Sequence, residues 1–246
     1  MSFPPPAAPP LLISGFVFLP MLVVMAALGG LALGARRQAA PRWAYWGSAL
    51  LLVVAMGVTL GLAADGSLAN FTRSPPPLLP TTGLCVLLWV AIATSHVGRG
   101  LDALPVAAVI GFHVFRLPLE LMMHAAADAG VMPRQMSYSG WNFDIVTGAS
   151  AVLVAVLAAL GKAPRPLLLA WNALGSVLVL VVMAIAISSA PPLLAFGSAP
   201  EQANTWVAYP PFVWLPTVLV PAAVAGHVVL WRRLLAPVQL PAPVAR

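Results

Sequence analysis

Apolar stretches long enough to cross a membrane follow one another along this chain with scarcely a charged residue inside them. A spanning helix needs about 20 apolar residues, each rising roughly 1.5 Å. Seven stretches qualify: residues 11–35, 43–64, 79–97, 104–127, 143–160, 167–189 and 206–235. Asp, Glu, Lys and Arg make up 7% of the residues and apolar types 61%. A soluble domain carries about 25% charged and about 45–50% apolar residues. A water-soluble fold would have almost nothing to cover its surface. The predicted fold class is therefore an all-α polytopic membrane bundle of seven transmembrane helices.

The connections support that division. Arg36, Arg37, Pro41 and Arg42 punctuate the first loop, and Pro75–Pro77 close the second, because tandem prolines cannot continue a helix. Gly98-Arg99-Gly100 makes a tight turn, followed by Asp102, placed to cap a helix starting near Pro105. The run from Gly161 to Pro166 is another compact turn. Residues 1–10 read as a disordered Pro-rich N-terminus, without the cationic region of a cleaved signal peptide. Residues 11–235 read as one transmembrane domain, and 236–246 as a flexible cytoplasmic tail.

Charge sets the expected orientation. The first, third and fifth loops and the C-terminal tail carry Arg36, Arg37, Arg42, Arg99, Lys162, Arg165, Arg232, Arg233 and Arg246, while the opposite side carries only Arg73 and Arg134. Cations concentrate on the cytoplasmic side of membrane proteins, which puts the N-terminus outside and the C-terminus in the cytoplasm. The net charge of +6 is spread between apolar runs. Nucleic acid is excluded as a partner, since phosphate binding needs a basic patch. The abundance of Ala, Pro, Gly and Arg beside one lysine points to a GC-rich genome, and the expected location is a bacterial cytoplasmic (inner) membrane. The single cysteine, Cys85, lies in an apolar run and permits no disulfide within the chain.

Ionisable residues at membrane depth are the best functional pointers, because each is costly unless paired or hydrated. The fourth stretch holds His113, Arg116, Glu120 and His124. At roughly 100° per residue they fall within about 80° of one helix face. That face must look into the bundle or a wet cavity. Glu120, one turn beyond Arg116, is its natural partner by spacing, and Pro118 between them predicts a kink. The fifth stretch opens with Asn142 and Asp144 at the same outer end as His124. Arg116, Glu120, His124, Asn142 and Asp144 are therefore expected to line an outward-facing polar cavity. Glu120 and His124 have the spacing of two metal ligands on one helix, and Asp144 would complete a divalent-metal site with an open position. The plainer alternatives are a buried polar network and Asp144 capping its own helix.

A second polar set, His96, His113, Asn172 and His227, is expected in the cytoplasmic half as hydrogen-bonded packing residues. His113 and His227 come nearest to a bis-histidine haem pair, but their depths match too loosely to predict haem. The seventh stretch begins Tyr209-Pro210-Pro211-Phe212-Val213-Trp214-Leu215-Pro216, and Pro216 and Pro221 must interrupt its hydrogen-bond ladder. Trp141, Trp206, Tyr209 and Trp214 are expected to rim the opening.

The run Arg116-x-Pro118-x-Glu120, with Asn142-Phe143-Asp144-Ile145, Trp171-Asn172 and Trp214-Leu215-Pro216, resembles multi-pass membrane proteins of bacterial genomes that have no assigned activity. The likeness covers roughly residues 80–235 and implies a location, not a chemistry. Three characterised seven-span families do not fit. Microbial rhodopsins need a lysine in the last span, whereas Lys162 lies in a turn, so a retinal Schiff base is excluded. Alkaline-ceramidase-like hydrolases need a histidine pair in the last span, where only His227 stands. Cytochrome b561-type proteins need paired histidines on facing helices. The expectation is a membrane protein binding or transporting a small or lipid-like substrate. The alternatives are a metal-assisted membrane hydrolase and a structural subunit of a membrane complex. Oligomeric state does not follow from the residues.

Overall fold

The computed structural model describes residues 3–37 and 41–236. The chain is 74% helix with no strand among the described residues. Long uninterrupted apolar runs favour this, because a helix satisfies every backbone donor and acceptor within one segment. Among the described residues nine α-helices form it: α1 (Pro10–Arg37), α2 (Arg42–Ala64), α3 (Leu78–Thr94), α4 (His96–Arg99), α5 (Val106–Gly111), α6 (Arg116–Asp128), α7 (Ile145–Ala159), α8 (Arg165–Ser189) and α9 (Val220–Leu235).

Among the described residues, five helical segments are long and apolar enough to cross a membrane: α1, α2, Val106–Asp128, α8 and Leu215–Leu235. A sixth crossing is completed if α3 and the helical turns of His96–Ala103, bent by 59°, count as one span. The fifth predicted stretch, 143–160, yields α7, which is apolar but only 15 residues long. Apolar side chains are exposed over the outside of the bundle, among them Leu50, Leu51 and Val54 on α2, Leu84 and Leu87 on α3, and Leu153 and Val156 on α7. Such a belt far exceeds what a soluble monomer leaves in water, and suits a multi-pass membrane protein.

The core is built around α9, the most buried of the long helices. Its inner face, Ala222, Ala223, Ala225, Gly226, His227, Val229 and Leu230, is almost wholly covered. It packs against α3 and α8, while α7 packs against α5 and α6. Small residues let these backbones approach closely, as is usual between membrane helices. A Cβ on Gly148 of α7 would lie 2.3 Å from the Leu117 backbone nitrogen.

Several local expectations are revised. Pro118 lies inside the continuous helical segment Val106–Asp128, and the ladder there is disturbed by a 3-10 turn over Phe112–Phe115, just before it. Asp102 does not cap α5, whose N-cap is Pro105 with no side-chain bond. Both oxygens of Asp102 accept instead from Arg232 (2.8–3.1 Å). Phe3, in the segment expected to be disordered, stands edge-on to Phe71 at 5.7 Å, and its carbonyl accepts from the Tyr209 hydroxyl. The tail at 237–246 lies outside the described residues. The aromatic rim does not form. Trp206 is buried against Phe16 and Phe212, and Trp214 is buried with its indole N–H donating to the Met56 carbonyl at 3.1 Å, leaving Trp141 exposed.

Candidate functional site

The connection between α6 and α7 shapes the site. It turns back beside α6, so that α7 starts level with Arg116 and Glu120. Asp128 lies two turns further along, about 12 Å at helical rise. The returning segment satisfies its own backbone: Gly140 and Asn142 N–H donate to the Ser137 carbonyl, and Trp141 N–H to the Gln135 carbonyl. Non-helical backbone inside a membrane protein requires such internal partners.

Arg116 is 1% exposed and sits at the centre. Its Nε donates to Asp144 Oδ2 at 2.6 Å and its Nη2 to Asp144 Oδ1, the two-pronged geometry that suits guanidinium and carboxylate. Nη1 donates to His227 Nε2 at 2.7 Å. Because arginine can only donate, Nε2 accepts, and the ring proton lies on Nδ1, which donates to Asn172 Oδ1 at 2.7 Å. Asn172 Nδ2 completes the loop to the His227 carbonyl at 3.3 Å. A Cβ on Gly175 would come within 2.5 Å of the His227 ring, so a larger residue there would expel the imidazole.

Glu120 is equally buried but makes no ion pair among the described residues. Both its oxygens face Asn142 Nδ2, at 3.0 and 2.9 Å. That same amide reaches the Met136 carbonyl at 3.0 Å, and Asn142 Oδ1 accepts from the Asp144 N–H at 3.0 Å. Asn142 thus holds both carboxyl-bearing segments. His113 lies against His227 with ring centroids 4.2 Å apart and planes tilted by 35°, and its two nitrogens are buried with no hydrogen-bond partner among the described residues.

The expected partner of Arg116 was Glu120; the structure pairs Arg116 with Asp144. The close crossing at Gly148 is the reason, since it seats the start of α7 on the Arg116 backbone. His124 leaves the group: it stacks on Tyr138 at 4.3 Å and lies 3.4 Å from Asp128 on the partly exposed side of α6. The trio Glu120, His124 and Asp144 therefore does not meet, and no three His, Cys, Asp or Glu among the described residues are placed to share a metal ion. The two polar sets merge, since His113, Asn172 and His227 join Arg116, while His96 lies exposed at the α3–α4 bend. The rings of His113 and His227, tilted by 35° with centroids 4.2 Å apart, leave between them no gap that a macrocycle could occupy.

The open space is elsewhere. A void of about 20 Å³ touches Arg116, Glu120 and Asp144, room for a single water. A groove of about 610 Å³ lies between α3 and α8, floored by Leu215, Pro216 and Val220. Among the described residues no charged side chain lines it. Met123, Val182, Leu215 and Val220 border both spaces and form the wall between them. Leu215 belongs to a π-helical turn, Leu215–Leu219, that leads into α9. Sequence reasoning missed the groove, although the proline clusters at 75–77 and 191–192 that frame its end were visible.

Fold and site together define an all-helical chain with several membrane-length apolar helices around a buried polar centre. No family of known proteins, no curated protein and no solved structure matches this chain.

Proposed function

We propose that this chain is a seven-span protein of the bacterial cytoplasmic membrane, N-terminus outside, that binds or transports a small or lipid-like molecule within the bilayer. In this reading α7 and the returning segment before it together make the fifth crossing. The observation that carries it is the shared wall. One layer of apolar side chains divides a ligand-sized groove from the void at Arg116 and Glu120. Pockets of this volume are typical of small-molecule sites. Glu120, a buried carboxyl without a cation, and Arg116 are the groups a ligand would meet beyond the wall. The π-helical turn supports the reading, since such turns recur at functional sites.

An apolar carbodiimide tests it, because it reaches intramembrane carboxyls from the lipid phase. Glu120 is expected to be modified in membranes, read by peptide mass. Val182→Ala should speed the modification by thinning the wall, and Gly83→Phe should slow it by filling the groove. A Glu120 left unmodified in both wild type and Val182→Ala would separate the groove from the polar centre.

The second reading, a structural network in a membrane subunit, is favoured by the closure of the site around Arg116, whose fork is already filled by Asp144. A metal-assisted hydrolase draws no support from the geometry, because its ligand trio is dispersed.

A further inference from the structure

We infer that the groove between α3 and α8 is the binding site for one anionic membrane lipid, its apolar chain in the groove and its phosphate headgroup held at the mouth by Arg73. The inference rests on the lipid-like reading above and adds the ligand's charge and the residue that reads it.

The enclosed part of the ligand must be uncharged, because the groove wall offers no countercharge. It must also be slender and flexible, since the groove is an elongated gap between two helices. Gly83 on α3 keeps the gap open: a Cβ built there meets nothing within 4 Å. The mouth is different. Ser74, Pro75 and Pro76 form one edge of the groove, and Arg73 directly precedes them. Arg73 is exposed and makes no ion pair or hydrogen bond among the described residues. The acids of the neighbouring loops do not neutralise it. The Ser67 hydroxyl and, at 2.8 Å, the Ser67 N–H hold the Asp65 carboxyl below the usual range, and Glu201 pairs with nothing described. The other cation expected on that side, Arg134, shares its charge with Asp128 at 3.9 Å. A cation with no partner among the described residues, one position from the edge of an apolar slot, matches an amphiphile with an anionic head. A free anion would gain nothing from the slot, and a neutral lipid nothing from Arg73.

The test uses the purified full chain and two fluorescent lipids of equal chain length, phosphatidylglycerol and phosphatidylcholine. One cation near a membrane surface favours an anionic headgroup by about five-fold, and that preference is expected in the wild type. Arg73→Gln should abolish the preference while leaving phosphatidylcholine binding unchanged, and Arg73→Lys should restore it. Gly83→Phe should weaken both lipids by about ten-fold or more, whereas Gly83→Ala, which fits the open space, should bind as the wild type does. Inorganic phosphate should not compete. A preference that survives Arg73→Gln, or equal competition by phosphate, overturns the headgroup assignment and leaves the groove reading standing. Undiminished binding of both lipids to Gly83→Phe overturns both.

Discussion

Arg116 carries a fixed positive charge into a region where most neighbours are hydrocarbon, and Asp144 meets two of its N–H groups at once. Removing one member of a buried pair leaves the other uncompensated, at a cost of about 3–5 kcal/mol, whereas replacing both by apolar residues is often neutral. Asp144→Ala should therefore lower thermal stability in detergent steeply, and Arg116→Met combined with Asp144→Leu should recover most of the loss. Equal losses in the single and double variants would show that the pair is not the unit. Gly175→Ala tests the other side of the guanidinium. Its methyl would stand 2.5 Å from His227 and 2.9 Å from Thr147, and overpacking of that kind costs about 1–3 kcal/mol. A Gly175→Ala protein as stable as the wild type would mean that His227 is not held against that helix. At this scale the sequence revealed the face shared by His113, Arg116 and Glu120, since helical spacing alone fixes it. It could not reveal that Arg116 would choose Asp144, 28 residues away, or His227, 111 residues away.

Among the elements, the fourth predicted stretch is the most informative. The sequence places Pro118 in mid-span, where replacing it by Ala should stabilise a helix by about 3 kcal/mol. The structure keeps it inside the continuous helical segment Val106–Asp128, next to a 3-10 turn over Phe112–Phe115. A raised unfolding midpoint for Pro118→Ala is the expected outcome, and an unchanged midpoint would show that the 3-10 turn already accommodates the proline. Arg232 is a second case. Counted along the chain it is one more cytoplasmic cation, but it donates to the Ala93 carbonyl (2.7 Å), the Gly98 carbonyl (3.1 Å) and the Asp102 carboxylate. It therefore satisfies carbonyls freed by the 59° bend between α3 and α4. Hydrogen bonds from a charged donor contribute about 1.5–3 kcal/mol each. Arg232→Leu should loosen that bend, seen as faster amide exchange at Ser95–Gly98, while Arg36→Leu at the same end should not.

For the whole molecule, the proposed orientation makes a simple prediction, because Cys85 is buried and gives little background. In intact cells a membrane-impermeant thiol reagent should label Thr72→Cys, and should reach Lys162→Cys only after permeabilisation. The reverse pattern would invert the bundle and place the mouth of the groove in the cytoplasmic leaflet.

The apolar runs and the scarcity of charge determined by themselves that this chain is helical and membrane-like, because hydrocarbon length and backbone satisfaction are local requirements that each segment meets alone. Helical periodicity likewise determined which polar residues of the fourth stretch share a face. Only the tertiary structure decided which of those residues meet. The close crossing at Gly148, the returning segment before α7 and the space left by Gly175 bring Asp144, Asn142 and His227 onto Arg116 and Glu120 and send His124 outward. It also decided that the ligand-sized space is an apolar groove and not a polar chamber. Contacts between distant segments depend on backbone separation of a few tenths of an ångström, and no spacing along the chain records that.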